Sequence, residues 1–135
     1  MNDQQVVRLA RGFGLAAGLM DFTTGVGLVA VPALTLHAMG VATPGAEALT
    51  FVRFVGAFVG AVGASYLVAL ASGRLDRLWA VFRVTTLFRV AAGSFVAWAV
   101  ATGQLEARWL TVTATDIVIA AAQVWFAGRE PKAHG

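Results

Sequence analysis

Residues 51–67 read FVRFVGAFVGAVGASYL: one arginine, one serine and one tyrosine in an otherwise apolar, glycine-punctuated run. With its flanks the apolar stretch extends over residues 49–71, enough to cross a hydrocarbon core of ~30 Å at ~20 residues per helical span. Glycine and alanine recur within it at Gly56, Gly60 and Gly63, with Ala57, Ala61 and Ala64 beside them. Small residues at that spacing let helix backbones approach closely in lipid, where no hydrophobic drive brings helices together.

Working outward, three more stretches have the same character, over residues 9–31, 78–101 and 109–127. Pro32 and Pro44 bracket the first connection, where proline ends one helix and precedes the next. Residues 73–77 and 102–108 form short polar turns, so neighbouring spans run antiparallel. The composition agrees: 59% of the 135 residues are apolar and 13% are charged. A water-facing surface of ordinary polarity cannot be made from that inventory. The reading is an all-α integral membrane protein, one up-down four-helix transmembrane domain over residues 1–135. Arg8 and Arg11 before the first span resemble the start of a secretory signal. The apolar run is too long for one and carries Asp21, so the span is expected to stay in the mature protein.

Arg8, Arg11, Arg74, Arg77, Arg129 and Lys132 fall on one side of such a bundle, against Arg108, and Arg53 one turn inside the second span, on the other. Positive charge marks the cytoplasmic side, which places both the N and C termini there. Trp79, Trp98, Trp109 and Trp125 lie near span ends, where an interfacial aromatic belt belongs. The net charge of +3 and pI near 10.6 do not imply nucleic acid, because no basic run tracks a phosphate backbone. The chain contains no cysteine, which excludes disulfides and thiolate chemistry.

Asp21, Arg89 and Asp116 are the residues that hydrocarbon should not contain, each costing about 2.5 to 3.5 kcal/mol at a helix centre. At 1.5 Å per residue, Asp21 lies about 18 Å and Arg89 about 17 Å from the basic ends of their spans. Asp116, on a span running the other way, falls about 19 Å from the same side. All three reach the midplane, where one guanidinium can serve two carboxylates. If all are ionised the centre carries −1, so either one Asp is protonated or another cation approaches. Arg83 is the candidate cation, although six residues place it about 120° around the helix from Arg89 and nearer the basic end. Thr23, Thr24, Thr85, Thr86, Thr113 and Thr115 can extend the centre with hydroxyls. The alternative is that the three charges only glue the bundle and set its register. A candidate polar centre therefore comprises Asp21, Arg89, Asp116, Arg83, Thr24 and Thr86.

Near the opposite surface His37, Glu47 and Arg53 form a second possible cluster, but a lone loop histidine is not a metal site. His134 belongs to the tail. No metal, phosphate-loop, haem or nucleophile motif is present, and no cofactor is implied. The stripe through Gly56 and Gly60 suits packing inside one chain or a homodimer interface.

The opening Arg-Leu-Ala-Arg-Gly, the glycine-rich first span ending in Val31-Pro32, and FVRFVGAFVGAVGASYL together resemble the DoxX-like group of small bacterial four-helix membrane proteins. The resemblance covers most of the chain and implies a multi-pass protein of the bacterial inner membrane. Asp21 in the first span is also similar to the carboxylate of small multidrug-resistance transporters, but arginines in the third span oppose a cationic drug. The expected partners are the lipid bilayer and a hydrophobic or amphiphilic small molecule. The functional reading placed first is an accessory or small-molecule-binding protein. A dimeric proton-coupled transporter and an enzyme acting on a lipid-soluble substrate are the alternatives.

Overall fold

The computed structural model describes residues 1–130, so Lys132 and His134 lie outside the described residues. Helix α1 spans Asp3–Ala30. Its start is fixed by a capping box: the Asn2 side chain accepts from the Gln5 backbone N–H, and the Gln5 side chain accepts from Asn2, both at 2.9 Å. With 28 residues α1 is about 42 Å long, more than the ~30 Å hydrocarbon core. It therefore starts before the apolar run and carries Asp3 and Arg8 on its polar first turns.

The first connection differs from expectation. Pro32 ends α1 and also opens a short helix, α2, over Pro32–Ala38. Proline suits a first helical position, where its missing N–H has no partner to lose. Helix α3 covers Ala46–Ala71, α4 Leu75–Ala101 and α5 Leu110–Ala127, the last preceded by a 3₁₀ turn at Ala107–Trp109. Four of these segments, Asp3–Ala30, Ala46–Ala71, Leu75–Ala101 and Ala107–Ala127, are long and apolar enough to cross a membrane. Between α3 and α4 the chain reverses at Gly73, whose φ of +68° is a left-handed conformation that glycine adopts without strain.

The helices associate as two hairpins. The closer one joins α1 to α3 through glycine. A Cβ added to Gly25 would stand 2.2 Å from the Gly60 nitrogen, and one added to Gly63 would stand 2.2 Å from the Phe22 nitrogen. Leu28 meets Gly56, and Gly18 meets Tyr66, so the two helices run in opposite directions. Gly56 and Gly60 thus face α1 of the same chain. The second hairpin pairs α4 with α5, with Gly93 against Thr113 and Asp116 and Arg83 against Glu130. Contact of α1 with α4 and α5 is slight by comparison.

An aromatic cluster seals one end between the hairpins. Trp79, Phe82 and Phe126 pack there with Phe13 and Tyr66, the Phe13–Phe82 and Trp79–Phe82 ring centroids each 5.5 Å apart and edge-on. This corrects the expectation for Trp79, which is 2% exposed and belongs to the core, not to an interfacial belt. Trp98 and Trp125 are outward-facing, while Trp109 packs against a smaller cluster of Leu28, Leu36 and Val41 at the other end. Phe51, Phe54 and Phe58 on α3, Leu87, Phe88 and Phe95 on α4, and Ile117 and Val118 on α5 cover the outside. So much exposed apolar surface suits contact with lipid.

Candidate functional site

Helix α4 supplies the middle of the site. Thr85, Arg89 and Gly93 are buried at four-residue spacing, which lines them along one face. On α1 the corresponding buried face is Gly18, Asp21, Gly25 and Leu28. Glycine on either side of Asp21 draws α3 against α1, while the Asp21 carboxylate reaches across to the second hairpin. From α5, Asp116 lies against Gly93, whose lack of a side chain leaves room for it.

These three elements converge on one guanidinium. Arg89 Nη1 donates to Asp116 Oδ1 at 2.8 Å, and Arg89 Nη2 donates to Asp21 Oδ2. The Arg89 side chain is 6% exposed, that of Asp21 9% and that of Asp116 13%. The meeting of these charges midway along their helices is as the helix rise predicted. Arg89 Nε is buried and bonds to no described residue. The two carboxylates and one guanidinium have a formal sum of −1, and a burial this complete makes any unbalanced charge expensive.

One helical turn away on α4 lies a second, uncharged network. Gln123 Nε2 donates to the Tyr66 hydroxyl and, at 2.7 Å, to Thr85 Oγ1. The Tyr66 and Thr85 hydroxyls are 2.7 Å apart, and Thr85 Oγ1 lies 2.7 Å from the Val81 carbonyl. A consistent set of donors follows: Gln123 to Tyr66, Tyr66 to Thr85, Thr85 to Val81. Thr86 Oγ1 lies 3.1 Å from Gln123 Oε1. Every member is satisfied, the condition under which a buried polar network strengthens a core. Thr85 of this network lies one turn before Arg89 on the same buried face of α4, so the two networks adjoin.

The other expected site residues fall elsewhere. Arg83 does not join Arg89; its side chain is 53% exposed and pairs with Glu130 at 2.5 Å, where α5 ends. Thr86 belongs to the Gln123 network. Thr24 is half-buried, one turn beyond Asp21, and makes no side-chain hydrogen bond to a described residue. Thr23 and Thr115 bond back to their own helices, while Thr113 Oγ1 donates to the Gly93 carbonyl of α4 at 3.1 Å. His37, Glu47 and Arg53 are exposed and make no ion pair among the described residues. Among the same residues no group of acidic and histidine side chains is arranged to hold a metal.

Sequence reasoning missed Tyr66 and Gln123, both fully buried. Each carried a signal. Tyr66 sits three residues after Gly63 on the stripe that packs inward, and Gln123 is the amide in an apolar span, where an unsatisfied side chain would be costly. No family model, curated protein or solved structure matches the chain.

Proposed function

We propose that the chain is a multi-pass protein of the bacterial inner membrane that binds a small hydrophobic or amphiphilic molecule at the Asp21–Arg89–Asp116 centre. In this reading it crosses the bilayer up and down four times with both termini cytoplasmic. Support for the orientation comes from Arg8, Arg11, Arg74, Arg77 and Arg129, which gather at the end of the bundle closed by the aromatic cluster. Positive charge on that scale favours retention on the cytoplasmic side. The pattern resemblance to DoxX-like proteins is in keeping with the same placement.

One observation carries the binding reading: Arg89 Nε is a buried donor that no described residue satisfies. A buried unmet donor costs the full desolvation of the group, and one on a charged guanidinium costs more than most. A small molecule entering from the lipid with a carbonyl or hydroxyl oxygen meets that donor while its apolar part stays among the helices. The purely structural use of the three charges explains the two ion pairs but leaves Nε without a role.

The test is native mass spectrometry of the protein extracted in mild detergent, compared with Arg89→Lys. Lysine keeps the positive charge and loses the planar fork of donors. A small molecule that accompanies the wild type and is absent from Arg89→Lys supports the reading. No bound molecule, or the same one in both, removes it.

A further inference from the structure

The buried centre is unbalanced in charge, and its surroundings do not correct it. Asp21 faces Arg89 from α1 and Asp116 faces it from α5, while α3 brings the Tyr66 hydroxyl to the adjoining Thr85–Gln123 network and no charged side chain. The other guanidinium on the inward half of α4, that of Arg83, is engaged with Glu130 at the end of the bundle. Among the described residues no further cationic side chain pairs with either carboxylate. No described residue supplies the missing positive charge.

The hydrogen bonding shows where it can be accommodated. Each carboxylate uses one oxygen towards Arg89: Oδ2 of Asp21 and Oδ1 of Asp116. The second oxygen of each accepts no hydrogen bond from a described residue, so either can carry a hydrogen without losing its bond to the guanidinium. A proton is the smallest cation that restores neutrality, and it needs no coordination sphere. Among the described residues no group of three or more acidic or histidine side chains is placed to hold a metal ion.

We infer that the Asp21–Arg89–Asp116 centre holds one exchangeable proton, carried by one carboxyl group while the other stays ionised against Arg89. It rests on the same site as the proposed function and adds how that site is regulated. The proton is taken from water and returned to it: one carboxyl O–H bond forms or breaks, and nothing is oxidised or reduced. Its position has a mechanical meaning. Arg89 and Asp116 belong to one hairpin, whereas Arg89 and Asp21 join the two. With the proton on Asp116 the hairpins are tied by an ion pair; with the proton on Asp21 the charged guanidinium donates to an uncharged carboxyl, and that tie is weaker for want of the opposite charge.

The full chain in lipid nanodiscs, examined by infrared spectroscopy at neutral pH in sodium-free buffer, tests this. A carbonyl stretch from one protonated carboxyl is expected in the wild type, moving on exchange into heavy water. Both Asp21→Asn and Asp116→Asn are expected to abolish it, because each leaves one carboxylate facing one guanidinium. A proton held merely because one residue is buried would vanish in one variant and persist in the other. No such band in the wild type, or a band surviving in either variant, overturns the inference. The wild-type spectrum decides even if a variant fails to fold. A wild type that shows the band yet carries no small molecule would sink the binding reading and leave this one standing.

Discussion

Asp21 and Arg89, 68 residues apart in the chain, form the one ion pair among the described residues that joins the α1–α3 hairpin to the α4–α5 hairpin. Every other pair is local or lies within the second hairpin. Removing the shared cation leaves the acidic side chains of Asp21 and Asp116 in the interior without their counter-charge, and breaking a buried pair in this way costs about 3–5 kcal/mol. Arg89→Ala is therefore expected to lower the melting temperature in detergent sharply or to abolish folded yield. Arg83→Ala is the control. Its pair with Glu130 is half-exposed, so the loss should stay below about 1 kcal/mol. Equal effects of the two variants would show that Arg89 is not the keystone.

The glycines of the first hairpin are not equivalent. Gly25→Ala and Gly63→Ala each drive a methyl group into backbone at 2.2 Å, whereas the nearest atom to a Cβ on Gly60 is 3.7 Å away. Overpacking of this kind costs about 1–3 kcal/mol or more. Thermal unfolding should rank Gly25→Ala and Gly63→Ala well below Gly60→Ala, which should resemble the wild type. If the stripe instead served a contact with a second chain through Gly56 and Gly60, Gly60→Ala would shift the oligomeric state on size exclusion without this ranking.

Gln123 is the hub of the uncharged network, touching Tyr66, Thr85 and Thr86 from a fully buried position. Gln123→Leu fills similar space but removes the bonds to Tyr66, Thr85 and Thr86 together, at about 1–3 kcal/mol in all. Tyr66→Phe removes a single hydroxyl, and Gln123 keeps Thr85, so the smaller loss is expected there. Chemical unfolding monitored by tryptophan fluorescence is well placed to see both, since Trp79 lies in the adjoining aromatic cluster. An inverted order would mean that Tyr66, not Gln123, anchors the network.

Orientation can be read directly, because the natural sequence has no cysteine and a single introduced thiol is unambiguous. Thr43→Cys and Gln104→Cys, both at exposed positions, should react with a membrane-impermeant maleimide in intact cells. Gln4→Cys, exposed near the start of α1, should react only after the membrane is opened. Labelling of Gln4→Cys in intact cells would invert the topology.

What was legible in the sequence is what depends on distance along a helix. Counting 1.5 Å per residue put Asp21, Arg89 and Asp116 at one depth, and the cost of stray charge in hydrocarbon required that they meet. What was not legible depends on direction around the helix. Trp79 stands near a span end, as an interfacial tryptophan would, but its azimuth turns it onto Phe82 and Phe126. Arg83 lies on the same helix as Arg89 yet leans to Glu130, a residue beyond the last apolar run. Tyr66 and Gln123 carry no charge, so hydropathy gave no alarm even though their hydrogen bonding is as binding on the packing as the ion pairs. The short helix α2 hid behind prolines that equally well announce a loop.

The order in which the two hairpins are made gives Asp21 an unusual history. A nascent chain emerges N-terminus first, so α1 and α3 can zip together by glycine before α4 has left the ribosome. During that interval Asp21 sits beside lipid with its future counter-charge still untranslated, and the cheapest state for it is the neutral acid. The second hairpin arrives with Arg89 and Asp116 already able to neutralise each other. Docking then joins a neutral acid to a neutral ion pair, so the proton Asp21 takes up early is the one the finished centre can keep, and the junction forms without stranding a charge in lipid.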